Sequence, residues 1–201
     1  MSDQRLTKIS KYLSYHLRHR PDLLGLELAS GGWVEVEKLL LAARQDNFPF
    51  SLAELQTVVK QSDKQRFSFN STGKLIRANQ GHSVAVDLEL QTCTPPSTLY
   101  HGTYAAALES IQLQGLQKMN RHHVHLSSDY STAIKVGQRR GSPVVLEINA
   151  EAMANAGFKF YCSDNGVWLV DIVPFKFIKQ VKQRNQAHLA TNLITRERQI
   201  K

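Results

Sequence analysis

The sequence predicts an α+β protein built as two lobes joined by a short, stiff crossing. Three observations carry that prediction. Apolar residues at helical spacing recur three times before residue 62, and an alternating pair of strands follows them. Past residue 98 the pattern changes to short apolar strands interleaved with short helices. Between the two lies Pro95-Pro96, which stiffens the chain and ends any helix or strand. The expected boundaries are 1–85 for the first lobe, 86–97 for the crossing, 98–181 for the second lobe and 182–201 for a basic, flexible tail.

Leu6, Ile9, Leu13 and Leu17 share one helical face, and Pro21 stops that helix. Arg18 and His19 fall in its last turn, where the negative end of the helix dipole favours a cation and keeps His19 easy to protonate. With Arg20 they form a compact cationic point suited to a phosphate, although such ends also serve only to complement the dipole. Gly31-Gly32 makes a turn, and Trp33-Val34-Glu35-Val36 is short and extended. Val36, Leu39, Leu40 and Ala43 predict a second helix of about ten residues. Ser51 and Glu54 form a capping box for a third helix reaching about Ser62, with Leu52, Leu55, Val58 and Val59 inward.

Next, Arg66 to Asn70 alternates, Ser71-Thr72-Gly73 turns and Lys74 to Ala78 returns, which is a β-hairpin. Three helices and a terminal hairpin suggest a winged-helix module, a fold often used on nucleic acid. Lys64 and Arg66 share a strand face opposite Phe67 and Phe69. The loop Asn79-Gln80-Gly81-His82-Ser83 can wrap a phosphate or a base edge, or be a turn held by its own side-chain caps.

In the second lobe Leu99 and Tyr100 are strand-like, and Gly102 lets backbone approach a ligand closely. Ala107, Leu108, Ile111 and Leu113 follow as a helix that Gly115 stops. Alternation then places Arg121, His123, His125 and Ser127 on one face of a strand and Val124 and Leu126 on the other. No carboxylate or cysteine lies at a usual ligand spacing from these histidines, so no metal is expected. Asp129 caps a helix containing Ala133, Ile134 and Val136; Val144 to Ile148 is a buried strand; a short helix covers about 150–156. Phe158 to Phe160 and Val167 to Val170 read as strands joined through Asn165-Gly166, and Phe175 to Ile178 as the last strand.

The chain of 201 residues can bury a substantial core, and its net charge of +8 favours an anionic partner, nucleic acid first. Two cysteines, Cys93 and Cys162, make neither a disulfide framework nor a metal site, so a reducing, cytoplasmic setting is expected. No apolar run approaches a membrane span, and no secretory signal is recognisable. Glycine-rich Rossmann and P-loop motifs are absent.

Seven stretches taken together resemble the NAD-dependent RNA 2′-phosphotransferase family of the KptA type. They are Leu17-Arg18-His19-Arg20-Pro21, Gly32-Trp33, Lys64 to Ser68, Arg77 to Ser83, Tyr100-His101-Gly102-Thr103, Arg121 to Ser127 and Gly166 to Leu169. The resemblance runs from residue 8 to about residue 178 and leaves out the last 20 or so. It implies a winged-helix lobe and an ADP-ribosyltransferase-like lobe with the active site between them. It further implies removal of an internal RNA 2′-phosphate, such as one left at a tRNA splice junction. The phosphate attacks NAD and expels nicotinamide; the RNA-2′-phospho-ADP-ribose intermediate then resolves to 2′-OH RNA and ADP-ribose 1″,2″-cyclic phosphate.

By resemblance Arg18, His19, Arg66 and Arg121 are the catalytic set, with Arg121 bridging the RNA phosphate and the NAD pyrophosphate. His101, Gly102, Thr103, His125 and Ser127 line the NAD pocket, and Lys64, Asn79, Gln80, Gly81, His82 and Ser83 contact the RNA. Protein-modifying ADP-ribosyltransferases often carry a glutamate on a late strand, where Val167 and its neighbours stand here. No metal is implied, and a monomer is favoured. The alternatives are an enzyme that leaves ADP-ribose on a nucleic-acid-terminal phosphate, and a winged-helix binding protein without turnover.

Overall fold

A computed structural model of the protein describes residues 2–62 and 65–181. The first helix, α1 (Asp3–Arg18), buries Ile9, Leu13 and Leu17 at the predicted spacing, and Leu6 at its outer end packs only partly. Strand β1 (Trp33–Glu35) leads directly into α2 (Val36–Gln45), which buries Val36, Leu39, Ala42 and Ala43. Ser51 caps α3 (Leu52–Gln61): its hydroxyl accepts from the Glu54 amide, and the Glu54 carboxylate accepts from the Ser51 amide. Leu52 departs from the expected pattern. It stands at the first helical position, 44% exposed, and Leu55 and Val58 carry the buried face.

The hairpin β2 (Phe67–Phe69) and β3 (Leu75–Ala78) forms in the predicted register, Phe67 opposite Ala78. β1 then adds to the other side of β3, giving the order β1-β3-β2 with Trp33 opposite Arg77. Three residues are too few for alternation to announce a partner, so that pairing was not legible in the sequence. The helices and this sheet close over one hydrophobic core centred on Ile9, Leu13, Leu39, Leu55, Phe67 and Ile76.

A second core lies beyond residue 98. It is built from β4 (Thr98–Tyr104), α4 (Leu108–Gln114), β5 (Leu116–Gln117), β6 (Val124–Leu126), α5 (Tyr130–Gly137), β7 (Pro143–Asn149), α6 (Ala150–Asn155), β8 (Tyr161–Cys162), β9 (Trp168–Val170), β10 (Ile172–Val173) and β11 (Ile178–Val181). The strands form antiparallel sheets of order β11-β7-β4, β6-β9-β8 and β10-β5. A bridge between Tyr100 and Ser127 ties β4 to β6, and the core gathers Leu99, Leu126, Ile148, Met153, Phe160 and Val170.

Two expectations shift. Phe158 to Phe160 is not a strand: Phe160 plugs the core, Phe158 meets the Phe177 ring at 5.8 Å, and pairing starts at Tyr161. Phe175 to Phe177 is a 3-10 turn after Pro174, and the last strand begins at Ile178. Leu113 stands 79% exposed on the outer face of α4. Runs of alternating aromatics mimic strands when their rings are in fact anchors for a turn.

The segment 86–97 touches both cores. Leu88 is buried, the Gly31 amide donates to Asp87 O at 2.8 Å, and the Cys93 amide donates to Phe160 O at 2.8 Å. Among the described residues no helix is long and apolar enough to cross a membrane. The tail expected at 182–201 lies outside the described residues.

Candidate active site

Where α1 ends, the loop after β3 comes back to meet it. The Arg18 carbonyl, left without a helical partner because the helix ends there, accepts from the Ser83 amide at 2.9 Å and from the Val84 amide at 3.4 Å. The Arg18 guanidinium lies over the Phe67 ring at 5.8 Å and donates to Arg66 O at 3.4 Å, while its Nε is buried with no partner. Gly81 adopts φ +88°, which favours glycine, and a Cβ there would make ordinary contact with the Arg18 guanidinium, 3.7 Å from Nη1, so the loop packs against that side chain. Burial, then the positive charges of Arg66 and Arg121, push the Arg18 pKa down to about 10.

His19 Nδ1 sits 2.9 Å from Ser83 Oγ. Its pKa is lowered, by burial first and then by Arg18 and Arg121. This reverses the expectation from the helix dipole: two full charges and desolvation outweigh the partial charge of a helix end. Arg66 is anchored at the end of α3, its amide and Nη1 reaching Ser62 Oγ at 3.3 and 3.4 Å. Arg121 arrives from the second core, in the turn before β6, with its amide on Lys118 O at 3.0 Å. Its side chain is exposed overall, yet its pKa is lowered by partial burial and then by Arg140 and Arg139. Among the described residues no carboxylate lies within 4.0 Å of Arg18, His19, Arg66 or Arg121. Arg20 stands apart, held at 2.8 Å by Asp22, so it does not join this grip.

The loop 79–83 divides in two. Asn79 and His82, expected to face substrate, are enclosed at 4% and 0% exposure. Asn79 Nδ2 donates to Gln65 O at 2.7 Å and so fixes the approach to β2. His82 packs beneath Gly32 and 6.3 Å from the His122 ring. Burial and then the Arg18 charge lower its pKa to about 3, so the ring is neutral, and both its nitrogens are without a partner. Gln80, Gly81 and Ser83 remain on the open side: Gln80 Oε1 accepts from His125 Nε2 at 2.8 Å. Lys64 lies outside the described residues.

His101 donates from Nδ1 to His125 O at 3.0 Å, which leaves its Nε2 as an acceptor. Burial lowers both imidazoles, His125 to about 3 with help from Arg121, so both are neutral at pH 7. Gly102 has a different reason from the one expected. A Cβ there would lie 1.8 Å from Ala133 O, so glycine lets α5 pack on β4 rather than a ligand approach the backbone. Thr103 is buried in the same contact region, and Ser127 Oγ is spent on the Asp129 amide and carbonyl at 3.0 Å each.

Sequence reasoning missed two residues that join the halves. His122 Nε2 is 2.7 Å from Val84 O. Arg77 stacks over Trp33 at 4.5 Å, donates to Gly31 O at 3.3 Å and pairs with Asp164 in the β8–β9 turn. Alternation assigned His122 to neither working face, and no local signal pairs residues 77 and 164. Among the described residues there is no group of three or more His, Cys, Asp or Glu side chains that could hold a metal.

Guanidinium and imidazole groups are brought together from two cores with no carboxylate within 4.0 Å among the described residues, an arrangement whose chemistry suits a multiply charged oxyanion. Comparison with known proteins gives that arrangement a family. The profile of "RNA 2'-phosphotransferase, Tpt1 / KptA family" matches residues 4–172, and the chain belongs to that family. It is 59% identical over 181 residues to a probable RNA 2'-phosphotransferase of Nostoc punctiforme, covering 90% of this chain and 100% of the relative. A protein of the same description from Trichormus variabilis is 56% identical over 178 residues, covering 89% and 98%. One from Streptomyces coelicolor is 52% identical over 179 residues, covering 89% and 97%.

Proposed function

We propose that this chain transfers an internal RNA 2′-phosphate to NAD, releasing nicotinamide and yielding 2′-OH RNA and ADP-ribose 1″,2″-cyclic phosphate. The observation that carries the reading is the set of three guanidiniums, Arg18, Arg66 and Arg121, with the His19 imidazole beside them, contributed by both cores with no carboxylate within 4.0 Å among the described residues. In this reading residues 1–85 are a winged-helix RNA-binding lobe, 86–97 the crossing and 98–181 an ADP-ribosyltransferase-like lobe. The substrate is RNA such as tRNA, and the setting is cytoplasmic.

The roles follow from charge and placement. A phosphomonoester carries close to two negative charges near neutral pH. Arg18 and Arg66 grip it from the first lobe and Arg121 from the second, which orients an already anionic nucleophile. Arg18 is suited to this because its Nε is buried and unpaired, so a phosphate oxygen supplies a partner the protein lacks. As charge shifts among the non-bridging oxygens, arginines already in position stabilise it without reorganising. His19, lowered in the absence of phosphate, takes up a proton as the dianion enters.

The residues present fit NAD as co-substrate. His101 offers an unused Nε2 acceptor, the His125–Gln80 pair presents a fixed polar edge, and Arg121 is a cation available to a pyrophosphate. NAD supplies an electrophilic ribose carbon with nicotinamide as leaving group. The chain's part is to hold that ribose opposite the gripped phosphate and to keep both imidazoles neutral.

The test is to incubate the full chain with NAD and a short RNA bearing one internal 2′-phosphate and to weigh every product. RNA lighter by one phosphate, with ADP-ribose cyclic phosphate, is the expected result. RNA heavier by ADP-ribose would replace this reading with terminal ADP-ribosylation. Absence of nicotinamide release from folded protein would remove NAD from it.

A further inference from the structure

A groove of about 730 Å³ runs between α1 and α3 and opens at one end on His19 and Arg66. Its α1 wall is Thr7, Ser10, Lys11 and Ser14, and its α3 wall ends in Gln61 and Ser62. We propose that this groove seats the single-stranded RNA flanking the phosphorylated nucleotide, a reading that rests on the proposed phosphotransferase function and extends it.

Four observations support RNA as the occupant. First, Ser10, Ser14 and Thr7 lie inside a helix, where hydroxyls add nothing to helix stability. None of the three has a hydrogen-bond partner among the described residues, so neither a cap nor a back-bond explains them. Hydroxyls and amides in a row are the groups that contact phosphate and sugar without reading sequence. Second, the charge is ordered along the groove. Arg66 and Lys11 are cationic, His19 is the imidazole that gains a proton when a phosphate enters, and Asp3, the only acid in the lining among the described residues, stands at the far end, where it repels a further phosphate. Third, Tyr15 is 47% exposed at the end nearest His19, with its ring edge-on to His16 at 5.1 Å, which leaves a flat aromatic surface for a base. Fourth, the length fits. From His19 to Lys11 the helix rises about 12 Å, at about 1.5 Å per residue. That is the axial span of about three to four stacked nucleotides at about 3.4 Å each.

The measurement is fluorescence anisotropy of labelled single-stranded RNA hexamers on the full chain, independent of turnover. Lys11→Glu and Tyr15→Ala are each expected to raise Kd, roughly fivefold and roughly tenfold, and Lys11→Glu to flatten the salt dependence. Tyr15→Phe is expected to restore affinity by keeping the ring. Lys38→Glu, the same charge change on α2 outside the groove, is expected to leave Kd near wild type. On a hexamer carrying the 2′-phosphate, the loss should fall on KM and not on kcat. Unchanged hexamer affinity in both groove variants would overturn the proposal, as would an equal loss in Lys38→Glu. If the wild type shows no turnover while the groove variants still lose affinity, the phosphotransferase reading fails and the RNA seat stands.

Discussion

In the proposed site Arg18 is the cation with the most constrained surroundings. It closes a helix, lies over Phe67, packs against Gly81 and is repelled by Arg66 and Arg121, with burial the largest cause of its lowered pKa. Such a group gains most when an anion arrives. Arg18→Ala, His19→Ala, Arg66→Ala and Arg121→Ala are each expected to cut turnover by about 100-fold or more. Their urea midpoints should stay close to wild type; near-normal turnover in folded Arg66→Ala protein would refute the grip.

His19 gives a pH signature. Its pKa is lowered in the protein as it stands, and under the proposed grip it rises when a dianion binds, so its contribution to affinity is complete below the unliganded pKa. That contribution is lost as pH rises through the liganded pKa. Above pH about 7.5, where a phosphate of second pKa about 6 is almost entirely dianionic, affinity for 2′-phosphorylated RNA should fall with rising pH, and titration of His19→Asn should be flat. His82 and His125 act on stability instead. Both are pushed down to about 3 from the usual histidine value, so below about 6.5 the unfolded chain takes up protons that the fold refuses. The urea midpoint is expected to be lower at pH 5 than at pH 7; equal midpoints would count against buried neutral rings.

At the scale of elements, the helices and the hairpin of the first core were legible because their signals are local. The Ser51–Glu54 box and the spacing of Leu39, Leu55 and Val58 need only neighbouring residues to be read. Ser51→Ala should cost about 1 kcal/mol by urea denaturation, the usual worth of such a cap. Gly102 shows the opposite case. Its glycine is required by the carbonyl of Ala133, thirty-one residues away, which no local pattern announces. Gly102→Ala forces backbone apart, so a loss of about 3 kcal/mol or more is expected, with overpacking of the α5–β4 contact as the cause. A well-folded Gly102→Ala protein of near wild-type midpoint would show that α5 can shift freely.

Across the whole molecule, the two cores meet through a small number of long-range contacts. Arg77 with Asp164, His122 with Val84 O, and His125 with Gln80 all join residues at least 38 positions apart. Arg77→Ala removes a stacked, doubly bonded side chain from that junction. It is expected to lower turnover on 2′-phosphorylated RNA more than it lowers the urea midpoint, because it displaces Arg121 relative to Arg18 while leaving each core intact. An unchanged kcat/KM would show that the junction positions nothing.

The sequence by itself determined the α+β composition, the family, and the residue types that can grip a phosphate. Each rests on local pattern: helical spacing, alternation, a capping box, and short motifs in a fixed order. Only the tertiary structure decided what those residues do. It buried Asn79 and His82 and reserved Gly102 for α5, whereas the bonds of Arg20 to Asp22 and of Ser127 to Asp129 are made two residues away. It also lowered His19 where the helix end alone would have raised it. The physical reason is that burial and charge density depend on atoms far apart in the chain, and a one-dimensional pattern carries no record of either.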